Sequence, residues 1–95
     1  MYYRVTKVQH RPGARQQMIE ALESKKDLME SIVGLKSVRL IEISDTSSMG
    51  ISLYENAQQV IDAEEKFKEL MGGMMPLMTG PPEISNGAEF WKSEF

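Results

Sequence analysis

Histidine is the side chain that exchanges a proton near neutral pH, and this chain has one, His10, at the end of a β-rich run. It is therefore the first candidate for general-base work. Tyr54, closing another such run, is a second group able to handle a proton. Arg39 lies mid-strand among β-formers and is the candidate for stabilising an oxygen anion. Arg4, placed alike in the first run, would bind a carboxylate or phenolate oxygen if it points inward. Trp91, Phe90 and the Tyr2–Tyr3 pair carry large apolar area, and Tyr and Trp add a hydrogen-bonding tip. With Met75 from a methionine-rich stretch, Trp91 and Phe90 are candidates to hold a flat aromatic substrate. Each residue also has a plainer reading. A lone His before a helix is often just packed, aromatics fill small cores, and strand arginines pair with partners such as Glu42, Glu89 or solvent.

Several chemistries are excluded by what is missing. With no Cys there is no thiolate nucleophile, Fe–S cluster or disulfide, and one His without Cys leaves zinc no ligand set. Met71, Met74, Met75 and Met78 invite a soft-metal reading, yet thioethers grouped at a helix end more often fill irregular gaps or cover a pliable pocket. No metal and no cofactor is expected. Eleven Lys and Arg against 14 Asp and Glu, a net charge of −3, argue against nucleic acid and acidic membranes as partners. Neither G-x-G-x-x-G, G-K-[ST] nor G-x-S-x-G occurs, so nucleotide and serine-hydrolase readings lack a phosphate cradle or a nucleophile elbow. Glu64, Glu65 and Glu69 alternate with Lys66 and Lys68, the pattern of a solvated helix face rather than of acid–base carboxylates.

The elements that must position these groups can be read from periodicity. Ninety-five residues, 41% hydrophobic and 26% charged, suit one globular domain spanning residues 1–95. Tyr2–Gln9 reads as a strand stopped by Arg11-Pro12-Gly13. From Gly13 to about Val33, Ala14, Met18, Ala21, Leu22, Met29 and Ile32 recur at helical spacing, with Pro12 at the first turn and Gly34 past the end. Leu35–Ser44 and Met49–Tyr54 are strands joined by a polar turn at 45–48. Asn56 is a helix cap, with Gln59 completing a capping box, for a second helix running to Gly72-Gly73. Three prolines then impose a short helical turn and an irregular loop. Glu83–Ser85 reads as an extended stretch, Asn86-Gly87 as a turn and Ala88–Lys92 as the last strand.

The order βαββαβ predicts an α+β, ferredoxin-like fold: a four-stranded antiparallel sheet with two helices on one face. Strand two is apolar both ways, Val38 and Leu40 against Ile41 and Ile43, so the face away from the helices needs a cover. A second copy is the simplest, giving a homodimer through sheet faces. No stretch has the length or hydropathy of a membrane span, and with no Cys a soluble, cytoplasmic protein is expected.

Pro12-Gly13 at the helix start, Gly34-Leu35 opening strand two, the hairpin, and Met75-Pro76-Leu77-Met78-Thr79-Gly80-Pro81-Pro82-Glu83 before the last strand together resemble the antibiotic biosynthesis monooxygenase family of dimeric α+β barrels. The resemblance extends over nearly the whole chain. It implies a dimeric α+β barrel and a cofactor-independent, monooxygenase-like enzyme acting on an aromatic or quinol-like substrate. His10, Tyr54 and Arg39 would be catalytic, and Trp91, Phe90, Arg4 and Met75 would bind substrate. The alternative within the same superfamily is a non-catalytic small-ligand-binding or stress-response dimer. Haem-degrading members rely on an Asn, a Trp and a His ligand on the second helix. This chain has no His between Asn56 and Gly73 and no Asn in Tyr2–Gln9, so that branch is disfavoured.

Overall fold

The computed structural model describes residues 1–95. The chain runs β1 (Tyr2–Gln9), α1 (Arg15–Glu23), α2 (Lys26–Glu30), β2 (Leu35–Ser44), β3 (Ser47–Tyr54), α3 (Ala57–Asp62), α4 (Glu64–Gly72), a 3₁₀ turn (Met75–Leu77) and β4 (Glu83–Ala88). The sheet has four strands in the order β2-β3-β1-β4, every neighbouring pair antiparallel. This is the α+β, ferredoxin-like architecture expected from the sequence, with β1 and β2 at the expected bounds.

The expected helices are each split in two. Ser24 ends α1 by turning its Oγ onto the Ala21 carbonyl at 2.7 Å, the local competition with the helical ladder that makes Ser a poor interior residue. Lys25 (φ −109°, ψ 16°) then offsets α2. Pro12 stands in the turn before α1 rather than in its first turn, and Gly13 takes φ 76° there. Asn56 caps α3 as expected, accepting from the Gln59 N–H at 3.1 Å. The Gln59 Oε1 returns to the Glu55 N–H at 3.0 Å, one residue before the cap. Gly34 is favoured by its backbone, and the Gln59 side chain would have to move aside for any other residue. The Gly34 φ is 84°, and a Cβ there would collide with the Gln59 carboxamide.

The last strand lies earlier than expected. β4 is Glu83–Ala88 and takes Asn86-Gly87 into its ladder opposite Arg4 and Tyr3. The free edge of β1 overrides the local turn signal, and an edge strand tolerates Gly and Asn because only one side must pair. Likewise β3 begins at Ser47, leaving Asp45-Thr46 as the turn, because Ser47 and Ser48 pair with Gln9 and Val8 of β1.

Strand alternation and register sort the sheet into two faces. Tyr2, Arg4, Thr6 and Val8 share a face with Tyr54, Ser52, Gly50 and Ser48, and with Val38 and Leu40 of β2. The helices cover the β1 and β3 part of this inner face through two apolar clusters, while Val38 and Leu40 on the edge strand β2 stay 39% and 42% exposed. One cluster joins Val8 to Ala14, Met18, Met74 and Leu77; the other joins Tyr54 to Ile32, Val60, Ala63 and Leu70. The outer face carries Tyr3, Val5, Lys7, Met49, Ile51, Leu53, Arg39 and Ile41, and no element of the chain packs over it.

Candidate functional site

Between the two apolar clusters the inner face holds a cleft of about 60 Å³, partly open at the β2 edge, and 13 of its 17 lining residues are hydrophobic. Thr6, Ser48, Ser52 and Tyr54 give it a polar strip along the sheet, while Met18, Met29, Met71 and Met74 line the helix side. Flexible thioethers let such a cavity grow around a ligand by rotamer changes rather than backbone movement.

At one end lies Arg4, 1% exposed. Its Nη2 donates to the Val60 carbonyl and to Glu64 Oε2, each at 3.2 Å. The guanidinium stacks 3.7 Å from the Phe67 ring centroid and 5.8 Å from that of Tyr54, so two aromatic walls of the cavity share a cation. Its Nη1 is buried without a partner. Burial pushes the Tyr54 phenol above its ordinary range, against a smaller opposite pull from the Arg4 charge. At neutral pH Tyr54 therefore keeps its proton and meets a ligand as a hydrogen-bond donor.

At the other end His10, also 1% exposed, places Nδ1 2.9 Å from the Arg11 carbonyl and Nε2 2.9 Å from Ser48 Oγ. A carbonyl only accepts, so in the neutral ring Nδ1 carries the hydrogen and Nε2 accepts from the Ser48 hydroxyl. The proline-rich segment is stitched over this end. The Arg11 N–H donates to the Leu77 carbonyl, the Thr79 N–H donates to the Gln9 carbonyl at 3.0 Å, and His10 bridges to Met78.

Of the residues singled out from sequence, Tyr54 lines the cavity, and Arg4 and His10 are buried at its two ends. Arg39 sits on the outer face opposite Ile51. Phe90 and Trp91 follow β4 in an extended tail, 99% and 74% exposed, and Met75 is exposed on the 3₁₀ turn. Glu89 ties that tail to β1 by accepting from the Tyr3 hydroxyl at 2.7 Å, and this hydrogen bond is the main reason the Tyr3 phenol is raised. Ser48 is the residue that sequence reasoning missed. It stood in an apparent turn cluster, and only the β1–β3 register brings it inward. No three His, Cys, Asp or Glu side chains converge as a metal site, and no helix is long and apolar enough to cross a membrane.

No family model matches the sequence, and no curated protein does. Solved structures do. A monooxygenase from the gene ActVA-Orf6 of Streptomyces coelicolor, in complex with the ligand nanaomycin D, superposes with a TM-score of 0.81 at 17% identity over 98% of this chain and 90% of its own. SnoaB, a cofactor-independent oxygenase from Streptomyces nogalater, gives 0.78 at 14% identity over 96% and 94%. The chain has the fold of the antibiotic biosynthesis monooxygenases. A protein of unknown function from Nitrosomonas europaea shares that fold as well, with a TM-score of 0.72 at 14% identity over 99% and 92%. At 14–17% identity the likeness is one of fold, and activity must be argued from the site.

Proposed function

We propose that this protein is a cofactor-independent, monooxygenase-like enzyme that holds a small aromatic or quinol-like molecule in the cavity between sheet and helices. The observation that carries this reading is the cavity itself: apolar, methionine-walled, with a polar strip of Thr6, Ser48, Ser52 and Tyr54 in a fold shared with named oxygenases. An electron-rich substrate of this class supplies the electrons that reduce oxygen, so the protein's work is desolvation, orientation and proton handling. Tyr54 donates to the oxygen anion that develops on the ring, and His10, reached through Ser48, accepts the substrate proton. Arg4 biases the Tyr54 end of the cavity toward negative charge.

The working unit we propose is a homodimer through the outer sheet faces, which completes the burial of the part-buried Val5, Met49, Ile51 and Leu53 and covers the more exposed Ile41. In that assembly Arg39, Phe90 and Trp91 border the seam between subunits rather than the cavity of their own chain.

Oxygen uptake in the presence of small hydroquinones and anthrones, added without cofactor, tests the enzyme reading. Uptake that falls at least tenfold in Tyr54→Phe supports it, and no uptake with any such substrate contradicts it. One observation favours a second reading, a ligand-binding dimer without turnover: Arg39, Trp91 and Phe90 lie away from the cavity. Tight binding of an apolar ligand that survives loss of His10, with no oxygen consumed, decides for it.

A further inference from the structure

A hydroxyl and an imidazole meet at the end of the sheet remote from Arg4, and the hydroxyl shares a second cleft of about 130 Å³ with a guanidinium. Ser48, Arg15 and Glu42 border it, and Met18, Ile19 and Leu40 give it apolar walls. Ser48 is 4% exposed, and its Oγ is 2.9 Å from His10 Nε2. Because His10 Nδ1 is committed to the Arg11 carbonyl at 2.9 Å, the ring is fixed in the tautomer whose Nε2 lone pair takes the Ser48 hydrogen. That is the geometry of a nucleophile, a base and an orienting group, with a backbone carbonyl as the orienter.

Arg15 supplies the complementary donor. Its Nη2 donates to the Ser47 carbonyl at 3.1 Å and to the Ser44 carbonyl, and its Nη1 meets Glu42 at 3.0 Å. These contacts hold the guanidinium against the peptide that enters Ser48. Its Nε–H is buried and has no partner. A desolvated, unused donor on a residue that lines the same cleft as the nucleophile suits charge that appears only during reaction. Glu42 already matches the Arg15 charge and the remaining walls are apolar, so a neutral substrate fits this cleft better than an anion.

We infer that Ser48, His10 and Arg15 form an acyl-transfer site for small neutral esters of apolar carboxylic acids. This activity goes beyond the oxidation proposed above and consumes no oxygen. Ser48 Oγ bonds to the acyl carbon while its proton passes to His10 Nε2, and the carbonyl electron pair moves onto the oxygen facing Arg15 Nε. Collapse breaks the acyl carbon–alkoxy oxygen bond, and His10 returns the proton to the departing alcohol. Water, deprotonated by His10, then cleaves the acyl-Ser48 ester, releasing the acid and restoring both side chains. No G-x-S-x-G elbow is needed, because such sites are defined by geometry and roles rather than by motif. Here the serine is on a strand, and an arginine replaces the backbone donors of an elbow.

The test uses the whole protein with 4-nitrophenyl butyrate as substrate and phenylmethylsulfonyl fluoride as a covalent probe, read by nitrophenolate release and by mass mapping of the labelled peptide. Labelling at Ser48 is expected, together with loss of label and turnover in Ser48→Ala and His10→Gln. Arg15→Lys retains a cation for Glu42 and the carbonyls but lacks the Nε–H, and should slow acylation about 10²–10³-fold with the fold unchanged by circular dichroism. Should His10→Gln fail to fold, Ser48→Ala and Arg15→Lys still decide. An unlabelled Ser48, label on another residue, turnover that survives Ser48→Ala, or Arg15→Lys acylating at the unmodified rate would overturn the assignment. Oxygen uptake is not read here, so this outcome is independent of the oxygenase test.

Discussion

Each face of the sheet carries side chains that are unusual in a soluble monomer. The inner face, closed by helices, carries the buried polar side chains Arg4, Thr6, His10 and Ser48. The outer face, with nothing of its own chain above it, carries Val5, Ile41, Met49, Ile51 and Leu53. Polar groups are buried when something is gained by holding them dry and paired, and apolar faces stay open when a partner covers them. This contrast underlies the proposal that one face serves chemistry and the other assembly.

The sharpest way to break this contrast is to put a charge on the outer face. Ile51→Asp enters a symmetric interface twice, and at about 2–3 kcal/mol per protomer it should weaken dimerisation about 10³–10⁴-fold. Concentration-dependent sedimentation reads the shift, and circular dichroism should show each monomer still folded.

On the inner face the expected order of effects is less intuitive. Glu64→Gln leaves the Arg4 charge buried without its counter-ion and should cost about 1–2 kcal/mol in urea unfolding. That is below the ~3–5 kcal/mol of a fully buried pair because Glu64 is half exposed. Arg4→Met removes the charge together with its desolvation penalty and keeps the packing on Phe67, so it should cost less than Glu64→Gln. The reverse order would show that the cation itself, and not its pairing, holds the helices down. In the connection that leads from helix to β2, Gly34→Ala should cost about 1–2 kcal/mol, since it holds Ala at a positive φ and pushes the Gln59 side chain off its hydrogen bond to the Glu55 N–H.

The smallest effect separates two tyrosines, one on each face. Tyr54 is raised chiefly by burial and Tyr3 chiefly by its hydrogen bond to Glu89. Glu89→Gln should therefore lower the Tyr3 phenol and leave Tyr54 in place, as read by tyrosinate absorbance. For both groups the folded pKa lies above the unfolded one. Their linked stability is thus complete below the ordinary tyrosine pKa of about 10 and is lost as pH rises through the folded values.

Much of the fold was legible because its strongest signals are local. Strands Tyr2–Gln9 and Leu35–Ser44 and the Asn56 cap lie where the spacing put them, and Gly34 is left-handed as expected, although the helix before it ends at Glu30 rather than near Val33. The last strand was not legible, since Asn86-Gly87 carries a genuine turn signal and only the free edge of β1 makes it extended. The site was half legible. Arg4, His10 and Tyr54 are residue types that announce chemistry, and alternation sends them inward. Ser48 and Arg15 do not stand out in sequence, because their roles arise from register and from one guanidinium reaching the carbonyls before Ser48. Arg39 shows the opposite case, a chemically suggestive residue that parity with Val38 and Leu40 places on the far face.

The measurement that tests the central claim most directly is the solution mass of the unmodified protein by sedimentation equilibrium at micromolar concentration. A dimer, twice the 10.8 kDa chain mass, that dissociates in Ile51→Asp while each chain stays folded is the result this account predicts. A stable monomer with its outer face open to water would contradict it.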